Sequence, residues 1–300
     1  MEMNGLMGGL YRICEWIMRF SVTNVLWVLC ASPVFYLGLV LLMAETVDQA
    51  FSVLILIAAI SPFLLFPATS AMFSVARKWV MGDVDVPLVK TFFRSYKENY
   101  VQSMLGGLLY VLLGALMVVN YRFYLSQTGP FQFLSFVFIL LSIILAVSVF
   151  HYFSILSHLH MKTLQILKNA LVITIGRPLT SVLIAATNVF IIYISTRFTF
   201  LIPFFMGSLI AYMSFFHFYR MFTKVMAQQQ ETMEKQGRDD EGAGEDAAVS
   251  SRPPAASAAS DANGPTDVSA PPASDEPDEP RGDHGEAPAH PDGAAERRRP

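Results

Sequence analysis

Acidic residues are scarce through most of this chain. Only Glu2, Glu15, Glu45, Asp48, Asp83, Asp85 and Glu98 precede Gln230. They are scattered among the polar connections, so the paired carboxylates that general acid–base chemistry requires have no candidate. Cysteine is nearly missing as well. Cys14 and Cys30 are the only two, and on a continuous helix they would stand about 24 Å apart. That spacing suggests neither a disulfide nor a zinc site. The chain has no phosphate-binding loop, nucleophile elbow or HExxH. The sequence therefore argues against an enzyme and implies no cofactor and no metal. Its basic loops lack the stacking and fold context of a nucleic-acid binder.

What is present is apolar. Of 300 residues, 53% are hydrophobic and 15% charged, too apolar a balance for an ordinary soluble domain. The net charge of −3 hides two unlike parts. Up to Gln230 there are 14 basic and 7 acidic residues, whereas the remainder holds 7 basic and 17 acidic. From Thr223 to Pro300 there is no Phe, Tyr or Trp. A stretch of Pro, Ala, Ser, Gly and acid cannot bury enough apolar surface to offset its ordering entropy. Residues 226–300 are accordingly expected to be a disordered cytoplasmic tail behind a folded body, residues 1–225.

Six stretches in the body are long enough to cross about 30 Å of hydrocarbon. They cover residues 20–44, 50–76, 101–121, 131–156, 179–196 and 198–218. The expected fold is all-α, a polytopic transmembrane bundle of six spans. Alternating the connections puts Arg12, Arg19, Arg77, Lys78, Lys90, Arg94, Lys97, Lys162, Lys168, Arg177, Arg220 and Lys224 on one side. Only Arg122 and Arg197 fall on the other. The positive-inside rule then sets both termini in the cytoplasm.

The stretch TFFRSYKENYVQS, residues 91–103, stands directly before the third span. Asp85 and Pro87 offer a helix start just ahead of it. On a helical wheel Phe92, Phe93, Tyr96 and Tyr100 share one face, and Lys90, Arg94 and Lys97 share another. This is the pattern of an interfacial amphipathic helix, with rings in the acyl boundary and cations toward anionic lipid headgroups. Arg77, Lys78, Lys90, Phe93, Arg94, Tyr96, Lys97, Glu98 and Asn99 are the candidate interface. A topology anchor is favoured there over a docking surface for a partner.

The segments NVLWVLCASPVF, FPATSAMFSVARKWVMGD and KTFFRSYKENYVQS together resemble the YesL family of bacterial integral membrane proteins. The matching positions are Asn24, Trp27, Pro33, Pro67, Ala68, Thr69, Arg77, Lys78, Gly82, Arg94, Lys97, Glu98, Asn99 and Gln102. The resemblance implies a bacterial plasma-membrane protein with no established activity, often encoded near carbohydrate-uptake and polysaccharide-degradation genes. The long acidic tail departs from the family pattern.

Two further sets of residues bear on function. Pro33, Pro62 and Pro67 interrupt apolar runs and, with Asn120 and Asn188, mark a candidate helix break or cavity. A proline removes a backbone donor, and in lipid the freed carbonyl needs another partner. Kinks that allow packing compete with a polar transport pocket for these residues. His151, His158 and His217 are a candidate titrating cluster, against which packed or interfacial histidines are favoured. KTFFRSYKENYVQSMLGG and KTLQILKNALVITIGRPL hint at an internal repeat. The expected function is a non-catalytic accessory or scaffold with a cytoplasmic or membrane partner of a sugar-uptake system. The alternative is a small-solute secondary transporter with its site at the Pro-broken second span.

Overall fold

A computed structural model describes residues 6–159 and 161–250. Contacts divide the chain into Met1–Ala243 and Gly244–Pro300. The described residues form α1 (Leu6–Cys30), α2 (Ser32–Leu42), α3 (Val47–Val80), α4 (Leu88–Glu98), α5 (Tyr100–Leu125), α6 (Leu134–His158), α7 (Thr163–Gly176), α8 (Pro178–Arg197) and α9 (Gly207–Ser250). A short 3-10 turn, Pro130–Phe133, precedes α6, and a π turn, Ile202–Met206, precedes α9. Among the described residues, six helical stretches are long and apolar enough to cross a membrane. They are Gly8–Cys30, Val47–Val80, Tyr100–Leu125, Pro130–His158, Pro178–Arg197 and Ile202–Lys235.

The first span lies earlier than the sequence-based 20–44. Pro33 sits in the first turn of α2, where its fixed φ starts a helix and its missing N–H costs nothing. The chain kinks at Ala31, whose N–H still reaches Trp27 O at 3.0 Å. Pro62 and Pro67 behave differently. Both are buried within α3, which runs unbroken through them. Pro62 cannot donate to the carbonyl four residues back, and the Ser61 hydroxyl donates to that carbonyl, Ala58 O, at 3.3 Å.

The last helix also differs from the sequence-based boundary at 225. It continues to Ser250: Gln228 through Lys235 are Gln, Glu, Thr, Met and Lys, mostly good helix formers, and the next proline is Pro253. Residues 251–300 of the expected tail lie outside the described residues. The two stretches that hinted at a repeat each form a short helix leading into a span, α4 into α5 and α7 into α8.

The core is aromatic and small-residue packing. Trp16 and Phe20 of α1 meet Trp79 of α3 and Tyr212 of α9, with ring centroids 5.3 to 5.9 Å apart. Phe66 and Phe73 of α3 each lie 5.4 Å from Phe153 of α6. Several buried serines are satisfied locally: Ser74 donates to Ser70 O at 2.9 Å, and Ser154 to Phe150 O at 2.8 Å, whereas the buried Ser70 hydroxyl has no partner. Such a bond to the preceding turn makes a hydroxyl tolerable inside a helix bundle.

One buried cation ties the connection after α3 to α1. Arg19, only 6% exposed, donates to Asp85 at 2.7 Å and to Glu15, and lies over the Trp16 ring. Asp85 thus holds Arg19 instead of capping α4, whose N-cap is Pro87. Replacing Arg19 with Met should cost about 2 kcal/mol, the usual worth of hydrogen bonds to a charged group. Thermal unfolding in detergent checks this, and Asp85→Asn should give a smaller loss because Asp85 is largely exposed.

Candidate functional site

Gly82, at φ +94°, lets the chain turn away from the end of α3 in a conformation that side chains resist. The chain returns as α4, which lays Thr91, Phe92 and Ser95 against the body and leaves Lys90, Phe93, Arg94, Lys97 and Glu98 exposed. The expected aromatic face is therefore divided. Phe92 is fully buried in the core, Phe93 is 42% exposed, and Tyr96 is intermediate. Burial is the first cause that pushes the Tyr96 phenol above its ordinary pKa. Helix α4 stops at Asn99, whose amide reaches Ser74 Oγ at 3.4 Å, while its carbonyl accepts from Ser103 Oγ at 2.7 Å.

A cavity of about 420 Å³ opens where α4 meets the ends of α3 and α6. Helix α3 contributes Ser74, Arg77 and Lys78, and α6 contributes Leu156 and Ser157. Pro87, Lys90, Thr91, Arg94, Ser95, Glu98 and Asn99 complete the wall. Four cations thus face one carboxylate. Arg77 donates through Nη1 to Ser157 O at 2.9 Å, which caps the C-terminal carbonyls of α6. Its Nε is buried without a partner. Arg94 Nε donates to Glu98 at 2.7 Å, and Lys78 lies 4.0 Å from Asp83. The Glu98 carboxylate holds the Arg94 pKa above its usual value. Of the candidate interface residues, Arg77, Lys78, Lys90, Arg94, Glu98 and Asn99 line this cavity. Phe93 and Lys97 line an adjacent groove with Val22, Leu88 and Val89.

The other candidates are dispersed. Pro33 opens α2, Pro62 and Pro67 are packed in α3, and the Asn120 amide returns to Leu116 O on its own helix at 2.7 Å. Asn188 and Ser214 form a buried reciprocal pair joining α8 to α9. None of these five lines the cationic cavity. The histidines likewise have separate surroundings. His151 Nε2 lies 3.1 Å from Ser181 Oγ, and His217 Nε2 lies 3.3 Å from Thr187 Oγ1. His158 is packed among Phe215, Tyr219 and Phe222. Among the described residues, no three His, Cys, Asp or Glu side chains form a set suited to a metal ion.

Sequence reasoning gave Asn24, Trp27 and Thr69 no physical role. Asn24 is fully buried and bridges the π turn, donating to Ile202 O and accepting from Ser208 N–H, both at 3.0 Å. Trp27 Nε1 donates to Thr69 Oγ1 at 3.0 Å. A buried amide facing a proline-disturbed helix start was the signal, with Pro203 inside the last apolar run and Asn24 inside the first.

This arrangement defines a multi-pass helical membrane protein with a cation-lined cavity at one end of its body. A family model described as "Protein of unknown function, DUF624" matches residues 20–121, which include α3 and α4. YesL of Bacillus subtilis is 31% identical over 203 residues, covering 68% of this chain and 84% of that protein. YteU of the same organism is 28% identical over 212 residues, covering 71% and 84%. YesV is 28% identical over 163 residues, covering 54% and 78%. All three are described as uncharacterised. The chain belongs to the YesL family. No solved structure matches it.

Proposed function

We propose that this chain is a non-catalytic component of the bacterial plasma membrane that docks a cytoplasmic or membrane partner belonging to a carbohydrate-uptake system. Both termini are cytoplasmic, α4 lies at the membrane interface, and the acidic tail extends into the cytoplasm. The observation that carries this reading is the rigid display of Lys90, Arg94 and Lys97 on α4. Buried Phe92, with Thr91 and Ser95, fixes that helix on the body. Three exposed cations on a fixed helix suit an acidic protein surface, which they steer and orient more than they tighten.

The reading is tested by quantitative crosslinking in native membranes of wild type and the Arg94→Gln/Lys97→Gln pair. The expected result is loss of a partner at unchanged protein level and topology, because both side chains are exposed. Identical crosslinked partners would remove the docking role and leave α4 as an anchor. The second reading, a small-solute transporter with its site at the second span, is distinguished in liposomes. The accessory reading gives no substrate-specific flux from the purified protein. The unbroken course of α3 through Pro62 and Pro67 gives that second site no discontinuous helix to work with.

A further inference from the structure

The cationic cavity does not stand alone. It shares Pro87, Lys90 and Arg94 with the adjacent groove, whose remaining wall is apolar apart from Lys97: Val22 from α1, then Leu88, Val89 and Phe93. Two of the cations therefore stand where a polar chamber meets an apolar channel. That is the charge and polarity profile of a phospholipid at its headgroup.

The charge balance decides whether the cavity needs a ligand. Four cations against Glu98, and against Asp83 at 4.0 Å from Lys78, leave a surplus of two positive charges. Helices α3 and α6 both end here, and each C-terminus carries about half a negative charge. That compensation leaves a surplus of about one, the charge that one phosphodiester neutralises. Donor capacity is also unspent. Arg77 Nε is buried with no partner, and Lys90 has no ion-pair partner among the described residues. A guanidinium fork and a nearby ammonium match phosphate oxygens in geometry as well as charge.

We infer that the cavity and groove together bind one molecule of anionic phospholipid. Its phosphate lies among Arg77, Lys90 and Arg94, and an acyl chain runs past Val22, Val89 and Phe93. A zwitterionic headgroup fits less well, because its ammonium would enter a chamber already carrying excess positive charge. The inference stands apart from the docking reading, since a lipid held here needs no partner protein, and it is read out on the purified chain alone.

The experiment reconstitutes the full chain in mixed micelles of phosphatidylglycerol and phosphatidylcholine and measures the lipid retained by native mass spectrometry. Wild type should retain phosphatidylglycerol in preference by about tenfold or more. The Lys90→Gln/Arg94→Gln pair should bring the two lipids close to parity with an unchanged unfolding midpoint, since both side chains are exposed. The control is Lys162→Gln/Lys168→Gln, which removes the same charge outside the cavity and groove and should keep the preference. Equal losses in the two pairs would reduce the effect to diffuse attraction and overturn the site. Displacement of the lipid by millimolar inorganic phosphate at constant ionic strength would overturn the lipid assignment in favour of a free anion.

Discussion

Replacing Asn24 with Leu should destabilise the body by about 4 kcal/mol. Two buried backbone groups would each lose their partner, at about 1–3 kcal/mol apiece. The side-chain amide bridges Ile202 O and Ser208 N–H, which the π turn and Pro203 leave outside the regular ladder before α9. In hydrocarbon no water replaces these bonds. Asn24→Asp keeps the acceptor for Ser208 and loses the donor to Ile202, so it should fall between Leu and wild type. Thr23→Val is the contrast. Thr23 is equally buried, but its hydroxyl has no partner, so an isosteric apolar group should be neutral or slightly stabilising. Unfolding midpoints of the three variants in one detergent check the order. Equal midpoints for Asn24→Leu and Thr23→Val would contradict the bridging role.

Gly106 and Gly107 carry the second large effect. They let α5 pass between α3 and α6 at close range. A Cβ on Gly106 would lie 1.9 Å from the Tyr152 hydroxyl oxygen, and one on Gly107 would lie 2.6 Å from Cγ of Phe66. The Tyr152 ring is fully buried, and its hydroxyl donates to Gln102 O at 2.8 Å. The Tyr152 ring, closed in on all sides, has no room to withdraw, whereas Phe66 is only partly buried. Gly106→Ala should therefore cost about 3 kcal/mol, combining overpacking with loss of that hydrogen bond. Gly114, two turns beyond Gly107 on the same helix, has open space where a Cβ would lie. Gly114→Ala should be neutral or mildly stabilising through helix propensity. If the two alanine variants unfolded at the same midpoint, the close crossing would not be what the glycines provide.

The six apolar runs and the family were legible because membrane length and the order of Asn24, Trp27, Pro67, Arg77 and Lys97 are properties of the chain itself. Which residue faces which neighbour was not. In a soluble helix the polar face betrays the buried one, but in lipid both faces are apolar. On α4, outside the spans, Phe92 and Phe93 are adjacent rings on the expected aromatic face and looked alike, although one is buried and the other is 42% exposed. The cationic cluster was legible from its spacing around the turn at Gly82. Its closure into a cavity was not, because Ser157 enters from α6, 80 residues beyond Arg77. Asp85 looked like a local cap, since its actual partner Arg19 lies 66 residues earlier. Pro62 and Pro67 looked like breaks because a proline signals one, yet α3 runs through both, and the neighbouring Ser61 repairs one of the freed carbonyls within the same helix.

The docking reading requires the cation-lined end of the body to face the cytoplasm. Single cysteines introduced into a Cys14→Ser/Cys30→Ser background test this directly, with a membrane-impermeant maleimide applied to intact cells. Asp48→Cys and Gln127→Cys should label without lysis, whereas Asp85→Cys should label only after the cells are opened. Labelling of Asp85→Cys in intact cells, with Asp48→Cys protected, would invert the body and contradict the account.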